Sequence, residues 1–290
     1  MDIFFQNVMA GLETGSLYAL AALGLVLIFR TSDVINFAQG EMAMFSSFVA
    51  FKLWERNMPY PVAFVGAILF AVVFGFVVER FIMRPAQKAS LVSKMIITLG
   101  LIMIINGAAS SLFGIDTYYF RKAIEVDNLT MGGVVIQPNS LFIITLTLAI
   151  MAVLFYIMQR TMVGISLRAT AQNENTAKLM GIPVSKVYSL SWILATVLGA
   201  IAGVLIAPTT DVSTTMMMEV HLKSFIAAVL GGFGSFIGPV VGGFLIGVLD
   251  NLVGYYVSLT WKTVIVYGLL VVILIVKPTG LFGKVHRKKV

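Results

Sequence analysis

The chain has 290 residues, 59% hydrophobic and only 11% charged, a balance that excludes a soluble domain hiding its apolar residues in one core of ordinary size. A formal net charge of +7 would point to nucleic acid in a soluble protein, but here the bases sit in the breaks between apolar runs and read as membrane topology. The absence of cysteine excludes a disulfide frame and thiolate metal sites and leaves the compartment open.

Apolar runs of about 17 to 25 residues, each long enough to cross roughly 30 Å of hydrocarbon as a helix, recur from end to end. Both faces of these runs stay apolar, unlike the alternating strands of a barrel. The expected fold is therefore all-α, a polytopic transmembrane helical bundle of eight or nine spans. They fall at 7–29, 36–54, 61–82, 95–114, 141–159, 188–208, a short 223–237, 239–258 and 261–277. The start, Met1-Asp2, carries no basic n-region or small-residue cleavage site, so the first helix is expected to be retained.

In the second run, "VINFAQGEMAMF" (Val34–Phe45) puts Asn36, Gln39, Gly40 and Glu41 among apolar neighbours. Glycine weakens a continuous helix there, and three polar side chains need partners in hydrocarbon. A helix starting near Gly40 explains the group. Its free N–H groups and positive end meet Glu41, while Asn36 and Gln39 cap backbone or meet a solute. Irregular backbone at that depth is tolerated only against protein or a watery cavity.

Placing the C-terminal tail Lys277–Val290 in the cytoplasm puts the linkers 80–94 and 160–187 on the same side, as the positive-inside rule requires. Arg80, Arg84, Lys88, Lys94, Arg160, Arg168, Lys178 and Lys186 lie there, with Lys277, Lys284, Arg287, Lys288 and Lys289 in the tail. The N-terminus is then periplasmic, and Asp116, Glu125, Asp127, Asp211 and Glu219 face out. The outer linker 115–140, with Asp116, Tyr118, Tyr119, Asn128, Gly132, Gly133 and Pro138, reads either as a structured docking cap or as a loop with interfacial tyrosines.

The inner linker 160–187 is longer than a simple return needs. A helix through Ala169, Asn173, Ala177 and Met180 would lay a thin apolar stripe along one side, with Arg168, Gln172, Glu174 and Lys178 solvated and Gly181 and Pro183 as the stop. The extra length asks for a partner.

Further on, "GGFGSFIGPVVGGFLIG" (Gly231–Gly247) ends one short helix, and Pro239 opens the next. Gly238/Gly242 and Gly243/Gly247, like Gly199/Gly203 earlier, have small-xxx-small spacing that lets helices touch through backbone. Paired interrupted segments in two halves, about 1–140 and 141–290, are the sign of an inverted-repeat transporter, with a solute pathway beside Asn36, Gln39, Gly40 and Glu41 in one half and Gly231, Gly232, Gly234, Ser235 and Pro239 in the other. Tight packing alone explains the glycines almost as well. Asp250 and Asn251 follow inside a span, where an aspartate needs a partner. Glu13, Glu41 and Asp250 show no evident His or Lys relay, which favours structural hydrogen bonding over proton coupling.

No G-x4-G-K-[ST] phosphate loop occurs, and His221 and His286 stand alone, so neither that nucleotide chemistry nor a histidine-centred metal or nucleophile site is expected.

These residues resemble the permease subunits of bacterial branched-chain amino acid ABC importers. "GSLYALAALGLVLIFRTSDVINFAQGEMAM" (Gly15–Met44) is similar to the family's N-terminal signature. "RATAQNENTAKLMGI" (Arg168–Ile182) resembles its cytoplasmic coupling segment, and "AAVLGGFGSFIGPVVGGFLIGVL" (Ala227–Leu249) its glycine-rich block. Family members often carry His where this chain has Gln39. The resemblance implies one inner-membrane permease domain over 1–290 in a heteromeric importer of amino acids. A second related permease, two ATP-binding subunits that hold the only ATP, and an extracytoplasmic solute-binding protein complete it. Arg168, Ala169, Glu174, Ala177, Gly181 and Ile182 would then couple to the ATPase, and the chain itself would carry no cofactor, no metal and no enzymatic step. Carriage of urea or short amides, an ion-coupled secondary transporter, an intramembrane enzyme and a pure scaffold are the alternatives.

Overall fold

The structure is a computed structural model and describes residues 2–131, 134–277 and 279–283. Gly132, Gly133, Lys284, His286, Arg287, Lys288 and Lys289, which figure in the sequence expectations, lie outside the described residues. Among the described residues the helices are α1 (Asp2–Ser32), α2 (Gln39–Glu55), α3 (Tyr60–Val77), α4 (Leu91–Phe113), α5 (Pro138–Arg160), α6 (Met162–Gln172), α7 (Glu174–Leu179), α8 (Val184–Thr210), α9 (Met218–Gly231), α10 (Ile237–Tyr256) and α11 (Lys262–Val276). A π-helical turn, Val78–Met83, extends α3. A hairpin, β1 (Leu129–Met131) and β2 (Val134–Ile136), pairs Leu129 with Ile136 and Met131 with Val134 in the outer linker.

Each expected span has its helix, and six are long and apolar enough to cross a membrane: α1, α3 with its extension, α4, α5, α8 and α10. The others, α2, α9 and α11, have 17, 14 and 15 residues. Helix starts follow local chemistry. Ser90 caps α4 by accepting from Ser93 N at 3.1 Å, and Pro59 precedes α3, where its fixed φ costs nothing.

The chain divides into two compact units, each drawing on both halves of the sequence: 1–26, 124–149 and 222–290 in the first, 27–123 and 150–221 in the second. In the second unit α2, α3 and α8 all pack on one another. A Cβ at Gly203 would lie 2.6 Å from Ser47 Oγ, and one at Gly75 3.0 Å from Trp192 O, so α8 meets α2 and α3 through glycines. Aromatic rings fill one end of the unit: Phe48 stacks on Phe113 at 4.8 Å and Phe51 on Tyr118 at 4.8 Å. Tyr118 and Val212 exchange backbone hydrogen bonds of 2.9 and 2.8 Å, so the first part of the outer linker is ordered.

The second unit also buries charge. Glu79, 1% exposed, accepts from Arg84 Nε at 3.0 Å, from Arg84 Nη2 at 2.8 Å and from Ser189 Oγ at 2.6 Å, while Arg84 Nη2 also reaches Ser185 O at 3.1 Å. The bidentate pair ties the π-helical turn to α8 with its oxygens satisfied.

In the first unit α10 is the centre. Its two glycine pairs use two faces. Cβ atoms at Gly238 and Gly242 would lie 2.2 Å from Gly231 O and 2.2 Å from Ala227 O of α9. Those at Gly243 and Gly247 would lie 2.5 Å from Ala19 Cα and 2.3 Å from Gly15 Cα of α1. The spacing that predicts close approach thus serves two neighbours at once.

Candidate functional site

In the second unit the polar stretch is not a break inside one helix. It is the buried connection between α1, which runs on to Ser32, and α2, which opens at Gln39. Asn36, fully buried, makes this turn: its Oδ1 accepts from Ala38 N at 3.1 Å, and its Nδ2 lies 3.8 Å from Met42 Sδ. Gln39 is buried with its side chain over Gly199 of α8. Gly40 lacks a side chain because His221 of α9 occupies the place. A Cβ there would sit 2.9 Å from His221 Cβ and 3.0 Å from its Cγ. Glu41, half-buried in the first turn of α2, accepts from Asn106 Nδ2 of α4 at 3.1 Å, and the same amide donates to Thr214 O at 3.0 Å. The site is a set of amides, one carboxylate and one imidazole at the positive end of a helix, with no metal-holding cluster among the described residues.

In the first unit the glycine-rich stretch is the turn between α9 and α10. Gly231 meets Gly238 backbone to backbone. Gly232 turns at φ +93, a left-handed conformation that favours glycine. Ser235 Oγ accepts from Ile237 N and Gly238 N, both at 3.2 Å, and so caps α10. Pro239 is the third residue of α10, where a missing N–H leaves no intrahelical bond unmade. Leu281 N and Phe282 N bond Leu230 O and Gly231 O at 2.7 and 3.1 Å and close the end of α9. Gly234 has open space where its Cβ would be.

Asp250 is not the isolated carboxylate the sequence suggests. Lys223 Nζ lies 2.7 Å and Lys262 Nζ 3.1 Å from its Oδ2, and Lys223 also sits 5.7 Å from the Tyr18 ring centre. Asn251 donates to Thr14 Oγ1 at 3.1 Å and to Gly247 O at 2.9 Å. Lys223 and the Glu79–Arg84 pair escape sequence reasoning. A cation at the edge of an apolar run looks like a span boundary, which places the expected start at 223, whereas the helix starts at Met218. The sequence signal for the pair is a lysine 27 residues before an intramembrane aspartate that needs a partner.

The inner linker holds two helices and not one. Asn173, expected in mid-helix, is extended at φ −159, ψ 108, and its Oδ1 accepts from Thr176 N at 2.9 Å. Asparagine competes with the helix for backbone partners and so caps the six-residue α7. Arg168 and Ala169 stay on α6; Glu174 and Ala177 belong to α7. At its end Gly181, φ +80, donates to Lys178 O and Ile182 N to Ala177 O, both at 3.0 Å, the double closure that lets a glycine stop a helix. Ala177 is buried against Val184 and Tyr188, with Ala169 and Ile182 alongside. The Glu174 carboxyl is held below its ordinary value, first by the hydrogen bond from Lys178, with Tyr188 and the charge of Lys94 acting in the same direction against partial burial.

Residues 7–274 match the family model described as branched-chain amino acid transport system / permease component. The high-affinity branched-chain amino acid transport system permease protein LivH of Escherichia coli (strain K12) is 30% identical over 308 residues, covering 99% of this chain and 98% of that one. BraD of Pseudomonas aeruginosa, with the same description, is 29% identical over 302 residues at the same coverage. A solved structure, PsaBC from Streptococcus pneumoniae in complex with Fab, covers 91% of this chain and 89% of its own at 15% identity, with a TM-score of 0.47.

Proposed function

The chain belongs to the branched-chain amino acid transport system permease family, and from that premise we propose that it is the membrane-spanning subunit of an ATP-driven importer of branched-chain amino acids. The observation that carries the reading is a family match over nearly the whole chain, on a helical protein whose described residues include six helices long and apolar enough to cross a membrane. It is a multi-pass inner-membrane transport subunit, not an enzyme, and works with ATPase and binding-protein partners. In finer detail, a second permease completes the pathway, two ATP-binding subunits dock on the side of α6 and α7, and the solute-binding protein docks on the opposite side. The C-terminus is cytoplasmic and the N-terminus periplasmic. ATP binding moves α7, and the permease halves rock between inward-open and outward-open states. The zwitterionic solute passes the amides and helix ends near Asn36–Glu41 and Gly231–Pro239, with apolar wall for its side chain.

The test is reconstitution with two ATP-binding subunits, a second permease and a solute-binding protein from the same source. Labelled leucine should enter proteoliposomes only with ATP and binding protein present. Gradient-driven flux by the chain alone would instead make it a secondary transporter, and uptake of urea in place of leucine would change the solute class.

Two substitutions probe the residues. Gly40→Ala pushes a methyl into His221 and, at the usual overpacking penalty of about 1–3 kcal/mol, should lower uptake several-fold. His221→Gly, which removes both clashing atoms, should recover part of it. Wild-type uptake by Gly40→Ala would show that this contact does not constrain transport. Gly181→Ala meets no neighbour but holds a left-handed residue at roughly 1–2 kcal/mol. With the complex still assembled, ATP hydrolysis should continue while solute carried per ATP falls up to about tenfold. Unchanged stoichiometry would remove α7 from the coupling path.

A further inference from the structure

Two carboxylates inside the expected spans are matched by cations: Glu79 holds Arg84 at 2.8 Å and Asp250 holds Lys223 at 2.7 Å. Glu41, in the first turn of α2, has no cation at ion-pair distance among the described residues. Its side chain takes a single hydrogen bond from them, given by the neutral amide of Asn106 to Oε2 at 3.1 Å. Oε1 takes none, and it stays open at the surface of a half-buried residue. An ionised carboxylate at membrane depth is costly until a positive charge meets it, so Glu41 has both the reason and the access to receive a cation.

The second observation is the orientation of Asn106. Its Nδ2 donates to Glu41 Oε2 and to Thr214 O at 3.0 Å; turned over, the amide would set its carbonyl oxygen against two acceptors. Oδ1 therefore points elsewhere. It accepts no bond from the described residues, and Asn106, like Glu41, is half-buried with that oxygen open. Both residues lie in the second unit, and together they hold two open acceptor oxygens, one of them on a charged group, with the amide hydrogens already spent. Such a pair suits a charged donor. A metal ion such as Mg2+ asks for about six oxygens, whereas an alkylammonium group brings three N–H donors on a compact charge.

We propose that Glu41 receives the α-ammonium group of the transported amino acid, and that Asn106 holds the carboxylate in place through Oε2 while offering Oδ1 to the same group. The inference rests on the reading of the chain as an amino acid importer subunit. It adds to that reading the residue that tells an amino acid from a solute of the same shape without a charged nitrogen. A carboxylate lacking a cation of its own gains little from urea or a short neutral amide, which bring no charge to balance it.

The test is leucine binding to the purified complex of both permeases and the ATP-binding subunits, read by saturation-transfer NMR without the solute-binding protein, whose own pocket would otherwise select the solute. Leucinamide, which keeps the ammonium, should compete with leucine, and α-hydroxyisocaproate, which carries a hydroxyl in its place, should not. Glu41→Gln should weaken leucine binding about tenfold or more. Glu41→Asp should keep part of it, since the charge stays and only its reach shortens, and Asn106→Leu should weaken it several-fold. Glu41→Gln keeps an acceptor for Asn106 and should unfold at or above the wild-type temperature, which separates lost binding from lost folding. Equal leucine binding by wild type and Glu41→Gln, as expected if a proton or a cation of the second permease already neutralises Glu41, would overturn the proposal. So would equal competition by the hydroxy acid, or no leucine binding by wild type. Uptake by the reconstituted importer, measured alongside, separates the two levels: leucine uptake by wild type with any of these failures removes only the role of Glu41, and no uptake removes the importer reading with it.

Discussion

Asp250→Ala should lower the stability of the first unit by about 3–5 kcal/mol, the usual cost of stranding one partner of a buried ion pair. Lys223 and Asp250 have side chains only 2% and 4% exposed, with 2.7 Å between Nζ and Oδ2, and Lys262 approaches the same oxygen. Removing the carboxylate takes from both ammonium groups the oxygen they share. Thermal unfolding in detergent should shift down by on the order of 10 °C. Pairing Lys223→Met with Asp250→Leu should recover much of the loss, since apolar residues of similar volume replace buried ions at little cost. If Asp250→Ala unfolds at the wild-type temperature, the lysines are satisfied by water and the pair is not a closed one. Asp250→Asn, which keeps the shape and halves the acceptor strength, should fall between.

Gly231→Ala should be nearly as damaging, by a different route. Its methyl would lie 2.0 Å from the carbonyl carbon of Gly238, and the obstacle is backbone, so no rotamer change relieves it. The α9–α10 turn would have to open, at about 3 kcal/mol or more, the upper end of overpacking penalties. Leucine uptake in the reconstituted complex should drop more than tenfold. Gly234→Ala, three residues on in the same turn and facing open space, should transport as wild type. Equal effects at the two glycines would mean that glycine content, and not the specific backbone approach, matters in this turn.

Local chemistry made much of this legible from sequence. Apolar runs locate the nine long and medium helices because hydrocarbon length sets their size. Gly181 marks the end of α7, and the glycine pairs of α10 announce close neighbours. What escapes depends on partners far along the chain. Asn173 looks like a helix interior until one sees that its side chain takes Thr176 N. Lys223 looks like a boundary until Asp250 is placed beside it. Glu79 and Arg84 look like surface charge until Ser189, more than a hundred residues on, completes their network. Of the residues proposed for the solute route, Asn36, Ser235 and Gly231 have local duties in closing turns.

The extended residue at Asn173 changes how the thrust of the proposed ATPase partners would travel. A single rod through 167–183 would carry thrust along its own axis, but α6 and α7 meet at an elbow, and α7 is sealed at both ends by its own hydrogen bonds. Thrust applied to α7 therefore passes sideways, through Ala177 against Val184 and Tyr188, into the foot of α8. In the importer proposed above, a stroke on α7 would so reach the helix that packs on both α2 and α3.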